Sequence, residues 1–255
     1  MNRLMLFYLL IFSVILSAEV PSVKLADDIE LIPLTPTIWR HVSYQQIEPY
    51  GRVPANGLVI ICETEAVLVD TPWTAHQTSV LLDWFRVEKE VSVVLAVPGH
   101  YHEDCMGGFP ELERRGITTL GSSLTAKLAA GYGLNPPRQV FSGSKKLTVG
   151  HRELELFFPG AGHTLDNIVV WVPDEQVLFG GCIIKSLHSK DLGYIDESDL
   201  NAWPETLMRI KNRYSNATII VPGHGAPGGV NLIDHTLSLL GKNRCSPKKN
   251  DTQND

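Results

Sequence analysis

The feature that most constrains this chain is His100-Tyr101-His102-Glu103-Asp104, which follows an apolar run from Val91 to Val97 that breaks at Pro98-Gly99. An unbroken apolar run bounded by turn residues reads as a buried strand, so the cluster sits at a strand's C-terminal end. Side chains at alternate positions of an extended loop project to the same side. On that reading His100, His102 and Asp104, all metal-competent, converge. Three more such residues occupy similar settings: His163 in Gly160-Ala161-Gly162-His163-Thr164, Cys182 after Gly180-Gly181, and His224 in Pro222-Gly223-His224-Gly225. Each lies in a glycine-rich turn, where little bulk obstructs an ion. A lone histidine is more often a satisfied polar group, and a lone cysteine a small core residue. Six such residues at successive strand ends instead point to a metal centre. His41, His76, His151, His188 and His235 lack this context and receive no ligand role.

Around these turns the pattern alternates between strand and helix. Thr37 to Tyr44, Gly57 to Cys62 and Ala66 to Asp70 read as antiparallel strands, the last two joined at Glu63-Thr64-Glu65. Thr74 with Gln77 forms a capping-box pattern opening a helix that ends near Arg86 to Lys89. A helix over Pro110 to Arg115, a strand over Ile117 to Leu120 and a helix over Ser123 to Ala130 follow. Lys145 to Val149 pairs with Glu153 to Phe158, and Ile168 to Val172 with Gln176 to Phe179, as hairpins. A helix around Trp203 to Arg213, a strand over Thr218 to Val221 and a helix over Leu232 to Leu240 complete the pattern. Each half thus runs from strands to alternating helices, as two sheets with helices outside require. From Lys242 the chain is polar and reads as a frayed tail.

With 255 residues, a single layered α/β domain over residues 19–255 is the simplest reading. The net charge is −6 and the basic residues are scattered, which argues against a nucleic-acid partner. Arg3, the apolar run Leu4 to Leu16 and Ser17-Ala18 read as a cleaved secretory signal peptide over residues 1–18. The run of about 13 residues falls short of the roughly 20 that span a bilayer, so an uncleaved anchor is the weaker reading. Export to the periplasm without stable membrane association follows, with a small-molecule partner and a monomer expected. Cys62, Cys105, Cys182 and Cys245 lie too far apart for a small disulfide scaffold. A thiol that persists after export needs protection, which a metal gives Cys182.

The His-x-His-x-Asp at 100 to 104, Gly162-His163-Thr164 with Asp166-Asn167, Gly180-Gly181-Cys182 with Lys185, and Pro222-Gly223-His224-Gly225 together resemble the metallo-beta-lactamases of class B, subclass 1. The resemblance covers essentially the whole mature chain, including Leu68-Val69-Asp70-Thr71-Pro72-Trp73. Subclass 2 enzymes place Asn where His100 stands. Subclass 3 enzymes use a histidine directly after the Asp and lack the cysteine ligand, and glyoxalase-like relatives build their second site from other ligands. The resemblance implies a four-layer αβ/βα sandwich with two mixed sheets. It implies two zinc ions, one on His100, His102 and His163 and the other on Asp104, Cys182 and His224. It implies hydrolysis of the beta-lactam amide bond, and hence antibiotic resistance, by metal-activated hydroxide. Imidazole and thiolate suit zinc independently, and three protein ligands per ion leave a position open.

Further roles follow from the same resemblance. Lys185 would pair with the substrate carboxylate, although alone it reads as a solvated lysine. Asp70 would orient the ligand loop from behind. The stretch Tyr44 to Asn56 aligns with a mobile loop that covers substrate, the bland reading being an ordinary hairpin. Two positions depart from the family pattern. Cys105 stands beside Asp104 where a basic or small residue is usual, and Tyr194 follows Gly193 where an Asn often contacts the substrate carbonyl. Asp104, Lys185 and Tyr194 are the candidate catalytic residues, and Asp70 and Cys105 the candidate supporting ones. The rival readings are a zinc hydrolase of this fold acting on another ester or lactone, and a periplasmic zinc-binding protein with little catalysis.

Overall fold

The computed structural model describes residues 21–245, with side chains to residue 243; the signal-peptide segment and the last ten residues lie outside them. The first half contains Val23–Ala26 (β1), Ile29–Pro33 (β2), Ile38–Ile47 (β3), Gly51–Cys62 (β4), Glu65–Val69 (β5), Ala75–Glu88 (α1), Ser92–Val97 (β6), Glu103–Met106 (α2), Phe109–Arg114 (α3), Thr118–Ser122 (β7), Ser123–Gly131 (α4) and Gln139–Phe141 (β8). The second half contains Ser144–Val149 (β9), Arg152–Phe157 (β10), Val169–Val172 (β11), Val177–Gly181 (β12), Trp203–Arg213 (α5), Ile219–Pro222 (β13) and Asn231–Cys245 (α6).

The strands form an eight-stranded sheet in the order β1 to β8 and a five-stranded sheet in the order β13-β12-β11-β10-β9. The first sheet is antiparallel through β5 and parallel from β5 to β8. In the second only the β12–β13 pair is parallel. Strand residues alternate between two buried faces, which is why these runs are almost wholly apolar. Leu58, Ile60, Val67 and Val69 meet Val170, Val172, Val177 and Phe179 in the layer between the sheets. Their neighbours Val59, Ala66 and Leu68 face Leu81, Phe85 and Leu112 beneath the outer helices. On the opposite flank Val169, Trp171 and Leu178 pack with Trp203, Leu207 and Leu239 of α5 and α6. Three apolar layers therefore join four layers of structure, the αβ/βα sandwich expected from sequence.

Several sequence expectations are refined. The Thr74–Gln77 capping box is formed with both of its hydrogen bonds. The residues from Tyr44 to Asn56 are a hairpin and not an irregular loop, since β3 and β4 stay in register from Ile38↔Ile60 to Ile47↔Gly51. Tyr44 is spent inside it, with its hydroxyl on Glu30 at 2.9 Å and Arg52 over its ring. The polar end does not fray at Lys242, because α6 continues to Cys245. Strands β1, β2 and β8 carry too few residues for a clear alternating signal. Finally, His100 to Asp104 is not extended throughout. His102 has extended backbone and caps α2, so Asp104 arrives on a helical turn four residues after His100.

Candidate metal centre

All six candidate ligands stand at one edge of the sandwich, five on turns next to strand ends and Asp104 in the short helix α2. His100 and His102 follow β6, His163 lies between β10 and β11, Cys182 follows β12 directly, and His224 follows β13. Backbone contacts hold these turns. Asp70, buried and in the left-handed region at φ 54°, accepts the Gly99 N–H at 2.5 Å, and Ile168 N–H donates to the Gly99 carbonyl at 2.8 Å. Asn167 and Asp166 brace the His163 turn through the backbone N–H and the hydroxyl of Thr164. Asn56 donates to the carbonyls of Pro222 and Gly225, both at 2.8 Å, fixing the His224 turn. Gly223 is required there, because a Cβ on it would lie 2.3 Å from Cys182 Sγ.

Three groups of donors lie close enough to hold an ion among the described residues: His100 with His102 and His163, Asp104 with Cys182 and His224, and a third that shares His100 and Asp104 with Cys105. In the second, Cys182 Sγ is 3.3 Å from Asp104 Oδ2 and 3.4 Å from His224 Nε2, and His224 Nε2 is 3.3 Å from the same carboxylate oxygen. Donors about 2.0–2.3 Å from a tetrahedral zinc stand roughly 3.3–3.8 Å apart, so the triangle fits that ion. In the first set His100 Nε2 faces His102 Nδ1 at 3.0 Å, and the His163 ring centre is 5.0 Å from that of His100. His100 Nε2 is also 3.6 Å from Asp104 Oδ1, a buried oxygen with no hydrogen-bond partner, which joins the two sets. A buried carboxylate oxygen without a donor is costly unless a cation faces it.

Protonation is set by the same packing. Burial holds His100 down to about 3 and His163 well below the usual range, so both are neutral and able to ligate. Burial opposes charge on Asp104 and His224, but their neighbours outweigh it. The hydrogen bond and charge of His224 keep Asp104 ionised, while the Cys182 sulfur and Asp104 raise His224. The Cys105 hydrogen bond is the main cause that brings the Cys182 thiol down to about 6. Thiolate and carboxylate together give the second set its attraction for a cation. Two far ring nitrogens find the partners that ligating histidines commonly have, since His224 Nδ1 donates to the Pro54 carbonyl at 2.5 Å and His102 Nε2 lies 2.6 Å from Glu197 Oε2, whereas His163 Nδ1 is buried with no partner among the described residues.

The remaining expected residues take definite places. Cys105 is buried behind His100, its Sγ 3.1 Å from Nδ1. Lys185 lines the same cavity of about 660 Å³ as His102, His163 and His224. Its Nζ stands 5.5 Å over the Trp203 ring, and it forms no ion pair among the described residues. Tyr194 is half-exposed, with its ring centre 5.9 Å from that of His102. Ile47 and Tyr50 at the β3–β4 tip also line the cavity. Sequence reasoning missed Glu197, Tyr132, Asn56 and His41. Glu197 and Tyr132 lie outside any metal-type turn, and His41, buried 3.0 Å from the Asp70 carbonyl, looks like any strand residue.

Residues 50–224 match the family model described as the metallo-beta-lactamase superfamily. The chain is 38% identical over 231 residues to a metallo-beta-lactamase type 2 of Bacteroides fragilis, covering 91% of this chain and 92% of that one. It is 34% identical over 222 residues to the Pseudomonas aeruginosa protein of the same name, with 87% and 88% covered. Among solved structures, a metallo-beta-lactamase from Pontibacter korlensis superposes with a TM-score of 0.81 at 38% identity, over 84% of this chain and 99% of that one. This chain belongs to the metallo-beta-lactamase superfamily.

Proposed function

We propose that the protein hydrolyses the amide bond of beta-lactam antibiotics at a site that holds two zinc ions, one on His100, His102 and His163 and one on Asp104, Cys182 and His224. The observation that carries this reading is the pairing of two clustered sets of metal-competent donors with a lysine that has no ion-pair partner among the described residues, all around one cavity. When bound, such a pair of ions lowers the pKa of water toward neutrality and polarises the bond to be broken.

The chain's own residues supply binding and orientation. Lys185, buried and without a carboxylate partner, presents an ammonium to the carboxylate that most beta-lactams carry beside the ring. Trp203 holds that lysine's surroundings in place, since its indole N–H donates to the Ile183 carbonyl at 2.8 Å, two residues before Lys185. Ile47 and Tyr50 cover the apolar part of a substrate, and Tyr194 lies where its hydroxyl can meet the ring carbonyl. Asp70 and Cys105 hold the His100 turn from behind.

A lactone or ester substrate is the second reading within this fold. Lys185 favours the lactam, because its cation matches a carboxylate fixed next to the scissile bond, and it also argues against a plain zinc carrier. Purified protein supplied with zinc should hydrolyse a chromogenic cephalosporin and leave a panel of uncharged lactones and esters nearly untouched. The reverse preference would assign the site to the other substrate class. Residues 1–18 serve export to the periplasm on this reading, and no helix among the described residues is long and apolar enough to cross a membrane. N-terminal sequencing of the mature protein should start at Glu19.

A further inference from the structure

Glu197 does not meet His102 alone. Its Oε2 lies 2.6 Å from His102 Nε2, while its Oε1 accepts a hydrogen bond from the hydroxyl of Tyr132, a residue 65 positions away in the chain. Tyr132 closes the C-terminal end of α4, where its backbone N–H donates to the carbonyls of Leu128 and Ala129 at 3.1 Å. Its ring rests on Tyr101, with centres 4.8 Å apart, and the Tyr101 ring is in turn 4.6 Å from His102. Four side chains therefore form a closed circuit, His102 to Glu197 to Tyr132 to Tyr101 and back to His102. Tyr101 is buried, whereas Tyr132 is 60% exposed and lies on the rim of the cavity.

We propose that Tyr132 is a positioning residue for the three-histidine set, acting through Glu197. A glutamate on a partly exposed loop has three side-chain torsions and loses much freedom when one oxygen must stay on His102. The Tyr132 hydroxyl donates to the other oxygen, with the Tyr101 hydroxyl beside it, and so limits that freedom. With Glu197 held, His102 keeps its proton on Nε2 and directs an unprotonated Nδ1 toward His100, as a ligand must. The circuit also ties α4 of the first half to the 191–197 loop of the second half across the cavity mouth. No interaction of Tyr132 with a metal or a substrate is needed for this role. The inference rests on His102 being a zinc ligand.

Tyr132→Phe tests it, since the ring and its contact with Tyr101 remain and only the hydroxyl goes. Zinc affinity, measured by competition with a chromogenic chelator, should fall by about tenfold, the lower end of what losing a partner behind a metal ligand costs. The visible spectrum of the cobalt(II) form should shift, and the downfield NMR signal of the His102 Nε2 proton should broaden or move. In a Glu197→Ala background the same Tyr132→Phe change should have no further effect on any of these. Unchanged affinity, spectrum and proton signal in Tyr132→Phe would overturn the proposal, as would an equal loss in the Glu197→Ala background, which would place Tyr132 outside the Glu197 contact. A parent protein that binds no zinc would overturn the ligand reading itself, an outcome distinct from either.

Discussion

Cys105 Sγ and His100 Nδ1 face each other at 3.1 Å, inside the protein and on the side of the imidazole turned away from His102. With Nε2 directed at the donor set, Nδ1 carries the proton and the sulfur accepts it. Cys105 thus acts as the partner that ligating histidines ordinarily find in a carboxylate or carbonyl. Cys105→Val should leave a buried N–H unpaired and lower zinc affinity by roughly 10- to 100-fold. Cys105→Ser, which retains an acceptor, should lower it much less. Chelator competition on both variants checks the difference, and affinities equal to the parent's in both would make Cys105 a bystander.

Cys105 also neighbours Cys182, whose thiol its presence lowers from the usual range. Loss of metal would leave two neighbouring buried sulfurs without a metal to protect them, one of them a ready thiolate. Metal-free protein should therefore lose its capacity to rebind zinc on brief peroxide treatment, and Cys105→Ser should slow that loss. Thiol counting before and after treatment provides the measure.

Lys185→Ala should raise KM about 10- to 100-fold for carboxylate-bearing beta-lactams with a smaller change in kcat, because a hydrogen bond to a charged group is worth about 1.5–3 kcal/mol. Tyr194→Asn should instead alter relative rates among penicillins, cephalosporins and carbapenems. Steady-state kinetics on one drug of each class distinguishes binding lost uniformly from a changed class profile.

His41 is buried, and burial lowers its pKa from 6.5 to about 4. Below pH 6.5 the unfolded chain takes up a proton that the folded chain refuses until about pH 4, so stability is complete above pH 6.5 and falls as pH drops through this window. The loss at pH 4 is on the order of 2–3 kcal/mol. His41→Gln can still donate to the Asp70 carbonyl and should flatten the fall. Denaturant unfolding of metal-free protein at pH 7 and pH 4.5 compares the two.

Much of this is legible in the amino-acid sequence, for identifiable reasons. The capping box at Thr74 and Gln77, the helix at Trp203 and the buried strands carry local patterns, and the six ligands announce themselves because zinc restricts residue type and demands space that glycine provides. Alternating histidines predict an extended stretch through Asp104, but they say nothing of the helical turn that brings Asp104 round to His224. Glu197 and Tyr132 were invisible because their meeting depends on how α4 and the 191–197 loop pack, which no short-range spacing encodes. Asn56 was hidden for the same reason: its amide joins β4 to a turn 166 residues later.

The most direct test is a zinc titration of metal-free protein with bound zinc and cephalosporin hydrolysis followed together. Hydrolysis should be absent at zero zinc, rise with binding and level off as the second equivalent per chain is taken up. Full hydrolysis in protein shown to contain no metal, or two bound equivalents with no hydrolysis of any beta-lactam, would contradict the account.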